Sequence, residues 1–192
     1  MPNWCANTVT LEHEDPAMIA RAKEAFDKGA FLQEFIPVPE DLLNIVAGSV
    51  PVAEEAEHKL KEEFNRMTYG YTNWYDFCVN EWGTKWDVGG EHGADTIPGG
   101  LMLSFDSAWA PPVNAYEKLV EMGFKIYATY YEPGMAFAGV WEDGNDDYYE
   151  YGGMSADEIE ATLPVELDEA YGISQQVAEW EEENAEEEAK DE

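Results

Sequence analysis

The stretch NWYDFCVNEWGTKWDV, residues 73–88, contains three of the seven tryptophans and one of the two cysteines of this 192-residue chain. Asn73 and Asp76 are typical of a helix start, where a side-chain oxygen and a negative charge meet free backbone N–H groups. Helical spacing then predicts one wide apolar face, formed by Trp74, Phe77, Cys78 and Trp82. Gly83 predicts the end of this helix, and the alternation of residues 85–88 predicts a short strand. The stretch therefore predicts a helix–turn–strand unit with buried rings, and it indicates no particular chemistry.

The rest of the chain predicts further strands and helices around this unit. Period-two alternation predicts strands at residues 7–12, 101–106, 125–131, 135–141 and 148–151. Helical spacing, caps and stop signals predict helices at residues 16–28, 54–67, 113–122, from 155 onward, and 174–190. The helix at 54–67 has an apolar stripe of Ala56, Leu60, Phe64 and Met67. Two prolines predict extended chain over residues 31–39, and glycines predict a loop over 89–100.

The order of the core elements predicts the fold class. It is strand, helix, strand (85–88), strand (101–106), helix and strand, which is the split βαβ order of ferredoxin-like folds. We therefore predict an α+β protein, with an antiparallel sheet that carries helices on one face. The predicted domain spans residues 1–142, with a helical insertion at 30–82 after the first helix. Residues 143–192 form an acidic helical C-terminal extension, which we expect to pack partly on the domain and to fray at its last residues.

The charge of the chain is concentrated at its C-terminal end. Residues 1–140 have 22 acidic and 9 basic residues, a net charge of −13, whereas residues 141–192 have 20 acidic residues and one basic residue, a net charge of −19. A protein adapted to high salt would spread acidic residues over its whole surface, so this distribution favours a local acidic segment. Such a segment repels nucleic acid and anionic membranes and favours a basic protein surface as partner.

Targeting signals and the cysteines indicate the compartment. The N-terminal residues have no basic stretch followed by an apolar one, and no apolar run is long enough to span a bilayer. Cys5 and Cys78 lie far apart and belong to no CxxC motif, which favours free thiols in a reducing cytoplasm. The sequence therefore predicts a cytoplasmic protein, and it leaves the oligomeric state open.

Several motifs together resemble one family. They are MPNWCANTV at residues 1–9, FIPVPEDL at 35–42, the stretch at 73–88, SFDSAWAPP at 104–112, YYEPGMAFAG at 130–139 and LDEAYGI at 167–173. This set resembles the YubB-type (Api-like) ferredoxin-like family of bacteriophages and conjugative plasmids, over most of residues 1–173. The resemblance implies a ferredoxin-like topology and an accessory role in a mobile element. It implies no iron–sulfur cluster, because two cysteines cannot supply the four thiolates that such a cluster normally needs, and we expect no cofactor.

The residue pattern offers two groups with structural or binding roles. The large apolar residues that we predict to anchor the core are Trp4, Cys5, Trp74, Cys78, Trp82 and Trp86. The candidate pocket combines a lysine, carboxylates and a tryptophan at the ends of predicted strands, namely Lys85, Asp87, Asp106, Trp109 and Glu132. A small-ligand site or an unrecognised enzyme is one interpretation of this group. The other is that Lys85 neutralises a partly buried acid while the tryptophans pack.

No motif in the sequence indicates catalysis or a metal. The three histidines, His13, His58 and His92, are scattered and form no ligand pair. One sheet face is predicted to display Thr8, Thr10, Met102, Ser104, Asp106, Tyr127, Thr129 and Tyr131. Exposed aromatics on such a sheet resemble the base-stacking platforms of RNA-binding domains, but this face lacks a basic frame. We therefore expect the insertion or the C-terminal segment to cover it, and we expect no direct nucleic-acid binding.

The acidic C-terminal helix supplies the main functional hypothesis. Its candidate interaction surface consists of one apolar anchor among carboxylates, namely Glu179, Trp180, Glu181, Glu182, Glu183, Glu186 and Glu187. The sequence and the resemblance favour a non-enzymatic accessory protein that engages a basic surface of a host protein, in defence or DNA metabolism, by charge that imitates a phosphate backbone. A solvated tail without a partner is the simpler interpretation of such a charge run. The alternative function is the small-ligand site or enzyme around Lys85, Asp87 and Trp109.

Overall fold

A computed structural model describes residues 3–90 and 93–191, with side chains described as far as residue 185. Its elements in chain order are β1 (Trp4–Glu12), α1 (Pro16–Asp27), α2 (Phe31–Phe35), α3 (Glu40–Leu43), α4 (Glu55–Tyr69), α5 (Trp74–Glu81), β2 (Ala94–Ile97), β3 (Gly100–Ala108), α6 (Val113–Glu121), β4 (Lys125–Glu132), β5 (Phe137–Glu142), β6 (Asn145–Glu150), α7 (Ala156–Thr162), α8 (Val165–Tyr171) and α9 (Ile173–Asp191).

The strands form one antiparallel sheet in the order β2-β3-β1-β4-β5-β6. The first four strands of this order reproduce the ferredoxin-like sheet, and β5 and β6 extend it beyond β4. Val9 at the centre of β1 lies opposite Leu103 of β3 and Ala128 of β4. The predicted α+β class and the split βαβ order are confirmed.

Each face of the sheet is covered by a different set of helices. On one face, alternate residues of β1, β3 and β4 pack into a large core with α1, α2, α5 and α6. On the other face, α7, α8 and α9 pack over β4, β5 and β6 through a second apolar cluster, which contains Ala138, Tyr151, Ile159, Leu163, Leu167 and Ile173. The helices α7 and α8 and the first part of α9 therefore form a layer that packs on this face of the sheet.

The stretch at residues 73–88 begins as the sequence predicts. Asn73 Oδ1 accepts hydrogen bonds from the backbone N–H groups of Tyr75 and Asp76, at 2.9 and 3.1 Å, and so caps α5. Gly83 follows the helix with φ +86°, and a Cβ there would meet the backbone N of Val113 at 3.2 Å. Trp82 is buried, and its Nε1 donates to the backbone O of Ile36 at 3.0 Å. Trp82, which directly follows α5, therefore joins the end of this helix to the chain at Ile36 within the core.

The predicted strand at residues 85–88 is wrong. These residues form a loop, and the second core strand is β2, inside the segment that glycines had marked as a loop. The reason is a side-chain contact over a long sequence distance: Asp87 binds the backbone of α2 and holds the loop against that helix. Four alternating residues fit a strand and such a loop equally well.

The insertion also differs from its prediction. Residues 31–35 form α2, where we expected extended chain over residues 31–39, and a further short helix, α3, follows at residues 40–43. The apolar stripe of α4 does not face the core, because Leu60, Phe64 and Met67 are exposed. The buried residue of α4 is Asn65, whose Nδ2 donates to the backbone O of Thr72 at 3.1 Å. A polar contact, which helical spacing cannot reveal, therefore sets the orientation of this helix.

The predicted anchor residues divide into two groups. Cys5, Cys78 and Trp82 are buried and Trp74 is partly buried, and both cysteines are free thiols. Trp4 and Trp86 are instead 48% and 39% exposed, so the prediction that they anchor the core is wrong. Their positions explain this, because Trp4 lies on the open face of β1 and Trp86 lies in the loop after α5.

Candidate functional site

Lys85 is surrounded by aromatic rings. Its Nζ lies 4.7 Å from the ring centre of Trp86, 5.1 Å from that of Trp109 and 5.8 Å from that of Tyr75. Ion pairs among the described side chains involve other cations, so Lys85 neutralises none of the described carboxylates. Trp109 has φ +71°, a left-handed conformation that is strained for a tryptophan and that sets its ring direction. Lys85 therefore stabilises an aromatic cluster, in contrast to the predicted neutralisation of a buried acid.

Asp87 caps the N-terminus of α2, a helix that is distant from it in the sequence. Its carboxylate accepts hydrogen bonds from the backbone N–H groups of Leu32 at 2.6 Å, Gln33 at 2.9 Å and Val88 at 2.8 Å. Two of these donors belong to the first turn of α2, which has no cap of its own. Burial raises the pKa of the Asp87 carboxyl above its ordinary value, and the three N–H donors offset part of this effect. The geometry gives Asp87 a structural role.

A groove lies beside Asp87, between the loop and the end of β3. It has a volume of about 460 Å³ and is lined by Trp4, Trp86, Asp87, Val88, Gly89, Ser104, Phe105, Asp106 and Ala108. We call it the tryptophan groove. The ring centres of Trp4 and Trp86 are 5.8 Å apart, with their planes tilted by 40°. Asp106 is exposed, and its carboxylate accepts no hydrogen bond from the described residues.

The structure brings together only part of the predicted pocket. Asp87 and Asp106 line the tryptophan groove, while Lys85 and Trp109 lie next to it around Trp86. Glu132 lies elsewhere: it is buried, and its carboxylate accepts from the backbone N–H groups of Gly134 at 2.8 Å and Met135 at 2.6 Å. Glu132 therefore stabilises the turn after β4.

Trp4 and Trp86 both line the groove, although sequence reasoning placed both in the core, and for Trp4 the sequence contained a signal against this placement. The available signal was the alternation of β1, in which Cys5, Asn7, Val9 and Leu11 face the core. Trp4 has the opposite parity and therefore belongs to the open face. Ser104 and Asp106 were assigned to that face correctly, and the register places Thr8 opposite Ser104.

The C-terminal layer covers the open sheet face over β4, β5 and β6. Tyr131 stacks on Tyr171 with ring centres 5.4 Å apart, and Tyr171 donates to the backbone O of Thr129 at 2.8 Å. Met102 and Tyr127 remain exposed outside the covered area. The expected cover over this face is confirmed, and the C-terminal segment provides it. The tryptophan groove lies on the part of the face that stays open.

The segment of residues 141–185, which we call the acidic layer, has 15 acidic residues and no lysine, arginine or histidine. Ion pairs among the described side chains all lie between residues 21 and 118. Of the candidate interaction surface, Glu179, Glu182 and Glu183 are exposed and Glu181 is partly buried. The side chains of Glu186 and Glu187, which belong to the same prediction, lie outside the described residues.

Trp180 borders a shallow depression in this layer. The depression has a volume of about 450 Å³ and is lined by Ala136, Tyr151, Gly152, Gly153, Met154, Ser155, Glu158, Val177, Trp180 and Glu181. Trp180 is largely exposed. An apolar ring beside an apolar-lined depression, with carboxylates around both, fits the anchor that a docked partner needs.

The histidines have local contacts. His13 Nδ1 accepts from the backbone N of Asp15 at 2.9 Å, and the His58 ring contacts the backbone O of Val46 at 2.9 Å. His92 lies outside the described residues. Among the side chains that the structure describes, no three His, Cys, Asp or Glu residues come together as a metal-ligand set.

In the described part of the chain, no helix combines the length and the apolar character that a membrane crossing needs.

The fold and these surfaces define an α+β protein with a ferredoxin-like sheet, a helical insertion and an acidic helical layer. No family model matches the chain, and no curated protein matches it. Among solved structures it is similar to the crystal structure of the protein api92 from Yersinia pseudotuberculosis, with 14% identity over 80% of this chain and 99% of that chain and a TM-score of 0.43. A likeness of this size carries no argument about function.

Proposed function

We propose that this protein is a non-enzymatic accessory protein that binds a basic surface of a partner protein through the acidic layer. One observation carries the proposal: 15 acidic residues in residues 141–185 have no cation within the segment and no ion pair with the described remainder of the chain. Unpaired carboxylates on one segment repel one another, and a basic partner relieves this repulsion.

Most of these carboxylates have no role in the fold. Four of them do: Asp143 accepts from the backbone N of Ile126, Asp146 from the hydroxyl of Tyr130, Glu158 from the backbone N of Ser155, and Asp168 from Ser174. The other carboxylates of the acidic layer make no such contact across elements and, apart from the partly buried Glu181, are exposed. The stability of the fold therefore does not require most of the carboxylates in the acidic layer.

The acidic layer is a rigid surface along most of its length. Ser155 and Glu158 form a capping box that begins α7, and Ile159, Leu163 and Leu167 bury α7 and α8 against the sheet. α9 begins at the buried residue Ile173 and brings Trp180 to the surface. A charged surface fixed in this way binds with less loss of conformational entropy than a free tail does.

The proposal also covers the kind of partner that this protein binds. The motifs resemble a family of bacteriophages and conjugative plasmids, so we propose that the partner is a host protein of defence or DNA metabolism. A DNA-binding protein has the basic surface that carboxylates in place of phosphates would occupy. The same charge argues against direct nucleic-acid binding by this chain.

The test compares capture from a bacterial host lysate by three versions of the full chain. They are the native protein, the variant E179Q/E181Q/E182Q/E183Q, and a control with four exposed acids replaced outside the acidic layer, E14Q/E54Q/E63Q/E117Q. We expect proteins with basic surfaces to bind the native chain and the control, to be lost from the first variant, and to elute as salt rises. A truncation at residue 143 is a poorer test, because it removes the layer that covers Tyr131.

Two results would contradict the proposal. One is capture of the same proteins by all three versions, because charge in the acidic layer would then not be the mechanism. The other is capture that is insensitive to salt, because apolar contacts would then dominate. Circular dichroism of each version establishes that a loss of capture does not come from unfolding.

A further inference from the structure

We propose that the tryptophan groove binds an arginine side chain of a partner's extended segment. This site goes beyond the acidic layer, since other residues form it and its test does not depend on that layer. The argument uses the two indole rings of Trp4 and Trp86, the exposed carboxylate of Asp106 and the contacts that hold the walls in place.

The indole rings provide flat surfaces for a planar cation. Trp4 and Trp86 both line the groove, their centres are 5.8 Å apart, and each ring is partly exposed to solvent. Two large exposed indoles in contact on the surface of a highly charged chain are unusual, since such rings gain free energy from burial. A guanidinium group stacks on an indole face through cation–π and dispersion contacts, and indole is the best aromatic partner for it.

The carboxylates provide the charge that an arginine needs. Asp106 lines the groove, and its carboxylate accepts no hydrogen bond from the described residues, so with respect to these residues both oxygens can form a bidentate pair. The Asp87 carboxylate also lines the groove, although three backbone N–H groups already occupy it. The net charge of −32 adds a field that attracts cations to the whole surface.

The groove walls are held in place before a ligand arrives. The Lys85 ammonium lies over the rings of Trp86, Trp109 and Tyr75, and Lys85 is not among the residues that line the groove. Asp87 holds the same loop against α2. Preorganised walls reduce the conformational entropy lost on binding. Lys85 therefore positions Trp86, and it does not occupy the groove.

Arginine fits this arrangement better than lysine does. Its planar fork matches one carboxylate with two hydrogen bonds and stacks flat on an indole, whereas a lysine ammonium is a compact and more strongly hydrated charge. The groove lies beside the last residues of β3, so a partner segment in extended conformation can run along the strand with its arginine in the groove.

The experiment follows the indole N–H signals of the ¹⁵N-labelled full chain by NMR during titration with a capped Gly-Arg-Gly peptide. The matched probes are the same peptide with citrulline, which removes the charge but keeps the shape, and with lysine. We expect the Trp4 and Trp86 signals to shift with arginine, to shift less with lysine, and to stay unchanged with citrulline. Binding is expected to weaken as salt rises.

Variants separate the groove from general electrostatics. D106N is expected to weaken arginine binding about tenfold or more, because it removes the charged partner. D95N, an exposed charge on β2, is the control and is expected to change binding by about twofold or less. E179Q/E181Q/E182Q/E183Q is expected to retain binding, so failure of this site and failure of the acidic layer give different results. Equal shifts with citrulline, or equal effects of D106N and D95N, would overturn the inference.

Discussion

Replacing Trp82 with alanine tests whether the end of α5 anchors the core. The Trp82 side chain is 4% exposed, and its Nε1 donates to the backbone O of Ile36 at 3.0 Å. Truncation of a buried tryptophan costs about 3–5 kcal/mol. The Ile36 carbonyl, left without this donor in the core, adds about 1 kcal/mol. We therefore expect the free energy of unfolding to fall by about 4–6 kcal/mol.

The assay is urea denaturation followed by far-ultraviolet circular dichroism, so that the lost fluorophore does not affect the signal. Trp180→Ala is the control, because Trp180 is 64% exposed and the same substitution there is expected to cost less than about 0.5 kcal/mol. Natural domains unfold with about 5–15 kcal/mol, so the Trp82 variant is expected to be marginal but measurable. A Trp82→Ala cost within about 1 kcal/mol of the control would refute the claim that this residue anchors the core.

Three further predictions concern buried polar groups. Tyr116→Phe is expected to stabilise the chain by about 1 kcal/mol in urea denaturation, because the buried Tyr116 hydroxyl makes no hydrogen bond with the described residues; a loss of stability would reveal a partner for it. Burial raises the pKa of the Cys5 and Cys78 thiols to about 12, so both thiols should resist alkylation by iodoacetamide in the native protein at about pH 8, which mass spectrometry can measure. Because thiols in the unfolded chain lose their protons near the ordinary pKa of 9.0, the free energy of unfolding should fall as the pH rises above that value. Rapid labelling of the native protein would contradict this prediction. Asp87→Ala is expected to cost about 2 kcal/mol in urea, because it removes the cap of α2, and an effect equal to that of Asp95→Ala would show that the cap is unimportant.

The sequence predicts those elements whose signals are local. The Asn73 cap, the apolar face of α5 and the glycine that follows it lie within eleven residues, and the structure has all three. The Ser155–Glu158 capping box is equally local and is present. Long alternating strands are also predictable, because burial on one face imposes period two on β1 and β3.

The errors occur where long-range contacts decide the structure. Residues 85–88 alternate like a strand, but the contact of Asp87 with α2 makes them a loop, and no local pattern contains that contact. The stripe of α4 has helical spacing, but the hydrogen bond of Asn65 with residue 72 turns that stripe toward solvent. In both cases a polar side chain outweighs an apolar pattern.

The residues of the candidate site were likewise predicted only in part from the sequence. Asp87, Asp106 and the neighbouring Lys85 and Trp109 were identified from their positions at predicted strand ends, whereas Glu132 lies at a separate turn. Trp4 was missed as a groove residue, because aromatic content alone favours burial and only its parity in β1 indicates the open face. The acidic layer was identified from charge alone, but its packing against the tyrosines of β4 required the three-dimensional structure.

The most direct test of the central claim is zero-length cross-linking with a carbodiimide, which joins carboxylates to lysine amines in contact. The full chain is cross-linked in a bacterial host lysate, and mass spectrometry identifies the joined peptides. We expect cross-links from carboxylates of residues 141–185 to lysines of a partner protein, with fewer for E179Q/E181Q/E182Q/E183Q. Cross-links to partners that arise only from carboxylates of residues 1–140 would contradict the proposed role of the acidic layer.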